Sequence, residues 1–381
     1  MKTKIVREGE TELEVPDVRG QPSSRDPAFY NPAMDVSRDL TVSYVAAKDA
    51  TVVCDPLAGV GARGIRIAVE CEPDIVVLND ANPNAVELIR RNAERNDVLD
   101  VCRIENRDAN ALMYEDELAG RFHYVDVDPF GPPVPFADAA VRTVTNRGSV
   151  GVTATDTSAL AGRYPKAARR KYWIRVERVE FYHEIAMRAL VGFLVRTCAR
   201  YDRAFIPELT VFHRHHVRVF GSVRRGAGRA DRALNSLGYL FSCPDCGSPH
   251  AARDPIVRCP RCGREIRGIG PVWLADTTDP NVASEVASEC EKRGFEEASG
   301  VVMGCLEEVG TNPWAYDVHA WASKLGLSEV PPVRSVLESL RNLGFKAVIP
   351  HYSRAGRVFV KTNADPSEFE NAMLEASREV D

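Results

Sequence analysis

The sequence predicts an α/β protein built on a Rossmann-like parallel sheet, followed by a cysteine-rich module and a smaller α+β domain. From Thr51 onward, short apolar segments alternate with amphipathic stretches, which implies parallel strands joined by crossover helices. Two Cys-x-x-Cys pairs then break this pattern, and helical periodicity followed by a hairpin pattern fills the rest. We therefore expect three domains, at residues 1–240, 241–266 and 267–381.

The elements of the first domain follow from local patterns. Residues 1–20 alternate charged and β-branched side chains and predict a small hairpin ahead of the core. Buried strands are predicted at Val52 to Cys54, Ile75 to Leu78, Val101 to Glu105, Tyr124 to Val127 and Val150 to Thr153. Helices are predicted at Asn84 to Asn96 and at Glu180 to Tyr201, and the stretch from Leu209 to Val223 predicts antiparallel edge strands.

The last domain carries a different pattern. Helices are predicted at Asn281 to Arg293, Ser299 to Val309, Tyr316 to Leu325 and Pro332 to Leu343. A hairpin is predicted from Phe345 to Lys361, with its turn at residues 353–356. Helices followed by a hairpin resemble a winged helix.

Length and composition limit the class of protein. The chain has 381 residues, of which 44% are hydrophobic, so it can bury more than one core. No apolar run reaches the ~18 residues needed to span a bilayer, and the charged start lacks the apolar stretch of a signal peptide. Cysteines in two Cys-x-x-Cys pairs are typical of metal ligands in a reducing compartment. We expect a cytoplasmic protein with no membrane partner.

Charge is unevenly distributed along the chain. The net charge is -5, but residues 163–232 contain 17 Lys and Arg against 6 Asp and Glu. This segment predicts a polyanion bound on one face, although solvated helix faces are the plainer alternative. Its first part mixes cations with the aromatic residues Tyr164, Tyr172 and Trp173, which suits phosphates and stacked bases. The cations concerned are Arg163, Lys166, Arg169, Arg170, Lys171, Arg175 and Arg178.

A glycine loop follows the first predicted strand of the sheet. Gly59, Gly61 and Gly64 satisfy G-x-G-x-x-G, and Asp80 ends the next predicted strand. Glycines let the backbone approach a ligand, and a carboxylate at that strand tip can bind both hydroxyls of a ribose. The pattern alone would also allow NAD, or a glycine turn with a purely structural role.

Two details favour S-adenosylmethionine over a dinucleotide. Asp55 directly precedes the loop, where it would repel the phosphates of a dinucleotide but can neutralise the ammonium of a methionyl group. The segment Asp128-Pro129-Phe130-Gly131 has no role in hydride transfer. Asp108 and Ala109 follow the third predicted strand of the sheet and can reach the adenine edge. The sheet is therefore predicted to be a class I methyltransferase domain.

Asp128 is the candidate catalytic residue. An exocyclic amino group of a base is a poor nucleophile, because its lone pair is delocalised into the ring. A carboxylate and a carbonyl that accept its two N–H bonds draw the lone pair out and stabilise the positive charge that develops. Asp128 and the Pro129 carbonyl fit that role, and Phe130 and Phe29 can stack on a base that has left its helix. Arg38 can reach the cofactor carboxylate.

These motifs resemble the tRNA guanine-26 N2-dimethyltransferase family of archaeal type. The resemblance runs from about Asp26 to the C-terminus, and its motifs are residues 29–40, 55–64, 79–83 and 126–131. It implies transfer of one or two methyl groups from S-adenosylmethionine to the guanine N2 at position 26 of tRNA. The resemblance also implies that Arg38, Arg63, Asp80, Asp108 and Ala109 hold the cofactor, that Asp128 is catalytic, and that Phe29 and Phe130 enclose the base.

The paired cysteines predict a structural zinc site. Cys243, Cys246, Cys259 and Cys262 have the spacing of a zinc ribbon, and four thiolates leave no open position for water. Free thiols or disulfides are the alternative. His250 lies between the pairs and is expected to be solvated rather than a ligand. His213, His215 and His216 are interpreted as tRNA contacts or plain surface.

Three other functions fit parts of the sequence. An NAD-dependent oxidoreductase would be protected by NAD and would not need Asp128. A zinc-ribbon RNA chaperone would bind tRNA without methyl transfer, even after Asp80→Ala. A methyltransferase for the amino group of adenine or cytosine is the third, because the carboxylate motif does not name the base.

Overall fold

The chain begins with an antiparallel hairpin. The structure is a computed structural model, and it describes residues 2–17, 28–115, 120–353 and 357–378. Strands β1 (Thr3–Glu8) and β2 (Thr11–Pro16) form the hairpin that the alternating pattern predicts. The side chain of Asn92 fixes it to the main domain: its Oδ1 accepts from the Glu14 backbone N at 2.6 Å, and its Nδ2 donates to the Glu14 carbonyl at 3.2 Å.

Seven strands form one sheet at the centre of the described part of the chain. They are β3 (Val52–Asp55), β4 (Ile75–Asn79), β5 (Cys102–Glu105), β6 (Phe122–Val127), β7 (Val144–Ala154), β8 (Arg203–His213) and β9 (His216–Arg225). Their order is β5-β4-β3-β6-β7-β9-β8. The first five are parallel, and β9 runs antiparallel to both β7 and β8. The order reverses between β3 and β6, so ligands are expected at the carboxyl ends of these two strands.

Helices cover both faces of this sheet. In chain order they are α1 (Asp35–Ala47), α2 (Ala62–Glu70), α3 (Pro83–Arg95), α4 (Ala109–Met113), α5 (Val134–Thr143), α6 (Thr157–Leu160), α7 (Pro165–Tyr172) and α8 (Tyr182–Ala199). Alternate strand residues face opposite cores: Val53 and Val76 pack with α1, α2 and α3, whereas Cys54 and Val77 pack with α4, α5 and α8. This three-layer architecture confirms the predicted α/β class.

A small antiparallel sheet carries the cysteine module. After α9 (Ala227–Leu234), strand β10 (Leu237–Ser242) lies between β11 (Pro249–Ala252) and β12 (Ile269–Trp273). One cysteine pair lies between β10 and β11, and the other between β11 and β12. The module is joined to the main domain through Arg188 on α8, whose guanidinium donates to the Trp273 carbonyl at 3.1 Å.

The C-terminal part contains the helices and hairpin that periodicity predicts. Its elements are α10 (Pro280–Lys292), α11 (Glu296–Glu308), β13 (Tyr316–Asp317), α12 (Val318–Lys324), α13 (Val333–Asn342), β14 (Ala347–Val348), β15 (Phe359–Thr362) and α14 (Pro366–Arg378). Strand β15 pairs antiparallel with both β13 and β14, as in a winged helix. Residues 354–356 of the predicted turn lie outside the described residues.

Helices α10 and α11 share a core with the seven-stranded sheet. Val286 and Cys290 on α10, and Val302 on α11, are buried in the same hydrophobic cluster as Val36 and Leu40 on α1. These two helices therefore cover the α1 face of the sheet, although they follow the cysteine module in the sequence. The remaining elements of the C-terminal part pack against α8, on the other face.

Candidate active site

The glycine loop connects β3 to α2 at the point where the strand order reverses. Gly59 adopts a φ of 58°, and a Cβ on it would lie 2.8 Å from the Phe29 carbonyl oxygen. Gly61 begins helix α2 with a φ of 80°. A Cβ on Gly64 would lie 2.1 Å from Leu78 Cδ2, so this glycine lets α2 pack closely on β4. The three glycines have the conformations and contacts that a nucleotide-binding loop needs.

The tips of β4 and β5 complete this side of the site. Asp80 directly follows β4, and its carboxylate accepts from the backbone N of Gly59 at 2.9 Å and of Asn82 at 2.8 Å. Asp108 caps α4 by accepting from the Ala111 backbone N at 2.9 Å, and Ala109 is the first residue of that helix. These predicted cofactor residues thus lie at three adjacent strand ends.

Asn79 joins these strand tips, a role that sequence analysis did not assign to it. Its Nδ2 donates to the carbonyls of Pro56 at 2.9 Å and Arg107 at 3.1 Å, and its Oδ1 accepts from the Arg107 N at 3.0 Å. Asn79 therefore fixes the loops after β3 and β5 to β4, with its side chain fully buried.

Three carboxylates converge between α2 and the tips of β3 and β6. Asp55 and Asp126 are buried, and Asp128 is partly buried at the end of β6. Burial, and then the nearby Asp126 carboxylate, raise the pKa of Asp55 to about 8, although Arg63 opposes them. The cluster is thus short of positive charge beside the glycine loop. Such a site favours a cationic ligand and disfavours a pyrophosphate.

Two buried arginines hold Asp126 and Asp128. Arg63 Nε lies 3.2 Å from Asp126 Oδ1, and its NH2 donates to Asp128 Oδ2. Arg218 pairs with Asp126, and its NH1 donates to Thr153 Oγ1 at 2.7 Å. The Thr153 hydroxyl also helps to lower the pKa of Asp128. Sequence analysis counted Arg218 as part of a basic surface, but it is fully buried beneath the site.

Asp128 is ionised in this environment. Burial alone would raise the pKa of Asp128, but the guanidinium groups of Arg63 and Arg218 together bring it below its ordinary value. A carboxylate that stays ionised is an acceptor at both oxygens. The loop that follows is fixed as well, because Gly131 N donates to Thr155 Oγ1 at 2.8 Å.

The two aromatic residues of the predicted base site touch each other. The ring centroids of Phe29 and Phe130 are 4.1 Å apart, and their planes cross at 69°. Phe130 is 51% exposed, so its ring can be reached from solvent. The structure brings the two rings together at the tip of β6, but it leaves no space for a base between them.

Arg38 is bound by a residue of the N-terminal hairpin. Its Nε and NH2 each donate to a Glu8 carboxylate oxygen at 2.6 Å, and its NH1 donates to the Asn31 carbonyl at 3.1 Å. The guanidinium predicted to reach a cofactor carboxylate is thus engaged by a protein carboxylate instead.

His216 was interpreted as a tRNA contact or a surface residue, but the structure shows that its side chain is buried. It is 3% exposed, at the start of β9. Burial lowers the pKa of His216 to about 3, although the negative charge of Asp128 opposes the shift. Its Nε2 has no hydrogen-bond partner within the part of the chain that the structure describes. His215 in the adjoining turn is exposed, as expected.

The four cysteines form the predicted metal-binding cluster. Their sulfur atoms all lie within 4.8 Å of one another, with Cys243 and Cys262 at 3.5 Å and Cys246 and Cys259 at 3.6 Å. In a tetrahedron of Zn–S bonds near 2.3 Å, the sulfurs would be roughly 3.8 Å apart. The cluster therefore fits a zinc ion.

Two matching turns present these cysteines. Gly247 N donates to the Cys243 carbonyl at 2.7 Å, and Gly263 N donates to the Cys259 carbonyl at 2.9 Å. Both glycines have a positive φ, as such turns require. His250 was expected to be solvated, but it is half-buried with its Nε2 3.4 Å from Cys259 Sγ, as a neighbour of the cluster rather than one of its four ligands.

The basic segment is divided between surface and interior. Arg163, Lys166, Arg169 and Arg170 are exposed on or beside α7, together with Tyr164 at 55% and Trp173 at 78% exposure. Tyr172 was expected to stack on RNA, but it is buried and its hydroxyl donates to Asp156 at 2.5 Å. Lys171 also pairs with Asp156, at 3.1 Å. These two contacts join α7 to the segment after β7, beside the active-site loop.

A cleft of about 1270 Å³ lies apart from the glycine loop and the tips of β3, β4, β5 and β6. It opens between residues 177–182, the cysteine module and α12. Six basic and four acidic residues line it, so its charge is nearly balanced. None of the predicted cofactor or catalytic residues lines this cleft, and the chemistry is therefore assigned to the strand tips.

The sheet order and the site together define a class of protein. An antiparallel β9 inserted beside β7 differs from the parallel order 3-2-1-4-5-6 of dinucleotide-binding domains. An acidic loop at the switch point and an ionised Asp-Pro-Phe segment at the next strand tip complete a class I methyltransferase. A model of the N2,N2-dimethylguanosine tRNA methyltransferase family matches residues 9–374. The chain belongs to this family.

Individual relatives agree with that assignment over the full length. The tRNA (guanine(26)-N(2))-dimethyltransferase of Methanopyrus kandleri is 62% identical over 378 residues, covering 99% of this chain and 98% of that one. The protein of the same name from Methanothermobacter thermautotrophicus is 37% identical, covering 97% and 98%. Trm1 from Pyrococcus horikoshii, solved with S-adenosyl-L-methionine, superposes with a TM-score of 0.85 at 31% identity, covering 97% of this chain and 99% of that one.

The family assignment removes two of the alternatives. An oxidoreductase and a non-enzymatic RNA chaperone do not agree with membership in a methyltransferase family. None of the helices in the described segments is long and apolar enough to cross a membrane.

Proposed function

We propose that this protein transfers methyl groups from S-adenosylmethionine to the exocyclic N2 of guanine 26 in tRNA, giving N2-methylguanosine and N2,N2-dimethylguanosine. The observation that carries the proposal is the ionised carboxylate of Asp128, followed by the Pro129 carbonyl, next to an acidic glycine loop. The names of the full-length relatives support the choice of tRNA, guanine and position.

S-adenosylmethionine would lie across the tips of β3, β4 and β5. When bound, it supplies a methyl group on a positively charged sulfur. Asp55 would neutralise the ammonium group, and Asp80 would bind the ribose hydroxyls. The loop of Gly59 and Gly61 would let the backbone approach the ligand, and Asp108 and Ala109 would contact the adenine. The cofactor bound in the Pyrococcus horikoshii relative supports this choice of ligand.

The two arginines that were predicted to hold the cofactor, Arg38 and Arg63, are bound by carboxylates of the protein. Arg63 is shared between Asp126 and Asp128, so it would mainly position the catalytic carboxylate. Arg38 could bind the ligand carboxylate after Glu8 releases it, because each of its three guanidinium nitrogens already donates to Glu8 or to the Asn31 carbonyl.

The amino group of guanine would be activated by two acceptors. Asp128 and the Pro129 carbonyl would each accept one N2–H bond, which turns the nitrogen lone pair toward the methyl group. As the N–C bond forms, positive charge develops on N2, and the Asp128 carboxylate stabilises it. The proton then leaves N2 for Asp128. The singly methylated N2 keeps one N–H bond that Asp128 can accept, so Asp128 can act in a second methyl transfer.

The guanine must leave its helix to reach Asp128. Phe29 and Phe130 would then separate and stack on its two faces. Because two rings that enclose a base lie about 7 Å apart, twice the usual contact distance, the observed 4.1 Å contact represents the site before the base enters.

Contacts with the body of the tRNA would come from two regions. The exposed cations on α7 can neutralise phosphates, and Tyr164 and Trp173 offer surfaces for stacking. Within the predicted domain of residues 267–381, the winged-helix-like part is proposed as a second region. The cysteine module, predicted at residues 241–266, would hold zinc through its four cysteines, and this ion would be structural.

The proposal is tested by methyl transfer to tRNA. Unmodified tRNA is incubated with labelled S-adenosylmethionine, digested to nucleosides and analysed for N2-methylated guanosine. Asp128→Ala is expected to lower the rate by about 10²- to 10⁴-fold, because a positioned acceptor for the reacting proton is lost.

Asp100→Ala, at an exposed position, is the matched control and should leave the rate unchanged. If the label appears on adenosine or cytidine, the proposed substrate is wrong. A wild-type rate in Asp128→Ala would remove that residue from the mechanism.

A further inference from the structure

His216 is a buried side chain that the mechanism above does not use. It is 3% exposed, and its Nε2 has no hydrogen-bond partner among the residues that the structure describes. A buried polar atom without a partner is unfavourable, because it has given up its hydrogen bond to water without replacing it. Such an atom next to a catalytic site is expected to meet its partner when a ligand binds.

The strand register places His216 beside Asp128. Val127 on β6 pairs with Val152 on β7, and Thr153 on β7 pairs with Arg218 on β9. Asp128, Thr153 and Arg218 therefore occupy one row across three strands, which is confirmed by the hydrogen bond from Arg218 NH1 to Thr153 Oγ1.

His216 lies two rows further toward the carboxyl edge of the parallel strands. It is two residues from Arg218 on β9, so the two side chains share a face of the sheet. That face is the one covered by α1, because Arg218 NH2 donates to Thr41 Oγ1 at 2.9 Å. The register ends at the pair of Ala154 and Val217, and its continuation puts His216 opposite Thr155, which holds the loop of Gly131.

The turn that leads to His216 also touches the segment that carries Phe29. Arg214 NH1 donates to the Ala33 carbonyl at 2.9 Å. His216 thus forms part of the wall between two parts of the proposed base site, namely the Asp128 loop and the segment before α1. Thr155 in the same row is already bonded to Gly131, whereas the Nε2 of His216 has no hydrogen-bond partner among the described residues.

The imidazole is neutral in this position. Burial lowers the pKa of His216 to about 3, against the opposing charge of Asp128. A neutral imidazole has one donor nitrogen and one acceptor nitrogen. It can therefore form a directed hydrogen bond to a base without adding charge to the site.

We propose that His216 recognises the Watson–Crick edge of the target guanine, with Nε2 accepting the hydrogen bond from N1–H. This inference rests on the proposed function. In guanine, N1–H lies next to the carbon that carries N2, so a base that presents N2 to Asp128 also presents N1–H nearby. In adenine and cytosine, the ring nitrogen next to the amino-bearing carbon is an acceptor. An accepting Nε2 therefore selects guanine, which the carboxylate motif alone does not.

The test compares two bases at position 26. One tRNA carries guanine, and the other carries 2-aminopurine, which keeps the N2 amino group but has a lone pair at N1. The kcat/KM for methyl transfer is measured for the wild type, His216→Leu, His216→Gln and His215→Leu. His215 is exposed in the same turn, so its variant is the matched control.

For the wild type, 2-aminopurine is expected to react roughly 10- to 100-fold more slowly than guanine, the effect of one buried hydrogen bond. His216→Leu should lower the rate on guanine by a similar factor and bring the two bases close together. His216→Gln should restore part of the preference, because its Oε1 can accept where Nε2 does. His215→Leu should behave as the wild type does.

Three results would overturn the inference. The first is a wild type that methylates guanine and 2-aminopurine at equal rates. The second is a His216→Leu variant with an unchanged rate on guanine. The third is a His216→Leu variant in which the rates on both bases fall by the same factor, which indicates a structural role. The first needs no variant, so it holds even if His216→Leu fails to fold. A wild type that produces no N2-methylated guanosine would instead contradict the proposed function.

Discussion

Asp55 and Asp128 show how two neighbouring carboxylates acquire opposite properties. Asp55 is buried at the end of β3, and burial with the charge of Asp126 raises its pKa to about 8. For Asp128, burial would act in the same direction, but Arg63 and Arg218 lower the pKa below its ordinary value. Asp128 is therefore an acceptor at any physiological pH. Below about pH 8, Asp55 holds its proton until a cationic ligand replaces it.

We expect cofactor binding to depend on pH through Asp55. A bound ammonium group favours the ionised carboxylate, so binding should release a proton and tighten as the pH rises toward the pKa. Below it, the affinity should fall by up to about tenfold per pH unit. Isothermal titration calorimetry with S-adenosylmethionine, in buffers of different ionisation enthalpy, measures both effects.

Asp55→Asn provides the control for this titration. Its affinity should be weaker and nearly independent of pH, because no proton is exchanged at this position. Without ligand, the contribution of Asp55 to stability should be lost as the pH rises from about 4 to 8, since the folded state binds the Asp55 proton more tightly than the unfolded state does. The difference between the wild type and Asp55→Asn separates it from the opposite contribution of buried His216. Wild-type binding without proton release would contradict this account.

At the scale of elements, the periodic parts of the chain were predictable. Alternation of strands and helices gave the parallel sheet, and the glycine and carboxylate motifs marked the tips of its strands. A strand tip is recognisable because the end of an apolar run and a change in residue type coincide. The helices and hairpin of the C-terminal part were predictable from their periodicity in the same way.

Contacts between distant segments were not predictable. Arg218 looks like a surface cation in the sequence, yet it pairs with Asp126, 92 residues earlier. Glu8 gave no sign that it would bind Arg38. The direction of a side chain on β9 depends on its register with β7, and a single sequence does not contain that register. For this reason His216 was assigned to the surface. Tyr172, on α7, was misassigned because the sequence does not show its contact with Asp156, 16 residues earlier.

The cysteine module is the element most dependent on its ligand. Its own core contains only the buried residues Phe241, Cys243, Cys259 and Ile266. So small a core cannot stabilise a fold by itself, whereas structural zinc contributes on the order of 10 kcal/mol. We expect one zinc ion per chain by elemental analysis. Removal with a chelator should expose residues 241–266 to proteolysis.

Cys262→Ser should reproduce the effect of the chelator, because one of the four ligands is lost. Cys71→Ser, outside the cluster, is the matched control and should keep the metal. A wild-type protein that contains no zinc, or resists proteolysis fully after chelation, would contradict the assignment.

At the scale of the whole molecule, a buried network of charges joins the C-terminal part to the methyltransferase domain. Lys361 Nζ on β15 lies 2.8 Å from Glu184 Oε1 on α8 and 3.2 Å from Glu308 Oε2 on α11. Arg188 Nε pairs with Glu184 Oε2 at 2.9 Å. His351 Nδ1 lies 2.6 Å from Glu308 Oε1, and its Nε2 accepts from the Phe212 N at 3.0 Å. The network fixes the orientation of the winged-helix-like part relative to the sheet.

Lys361→Met is expected to destabilise the protein by about 3–5 kcal/mol, because it leaves two buried carboxylates without their shared cation. Urea denaturation measures the change in the free energy of unfolding. Lys346→Met is the control, since Lys346 is exposed and its Nζ donates only to the Val309 carbonyl. A change below about 1 kcal/mol in Lys361→Met, the range of surface pairs, would contradict the structural role of the network.

The contact between Phe29 and Phe130 has a consequence for selectivity against small molecules. Opening a slot between the two rings requires work, since they give up their mutual contact before either can meet a base. A free nucleoside brings only its own stacking energy to that task. A folded nucleic acid also brings its phosphates, which can meet the distant cations of the protein at the same moment. In the proposed function, the resting enzyme is thus closed to metabolites that share the reactive group, and a large polyanion brings the additional binding energy that opens it.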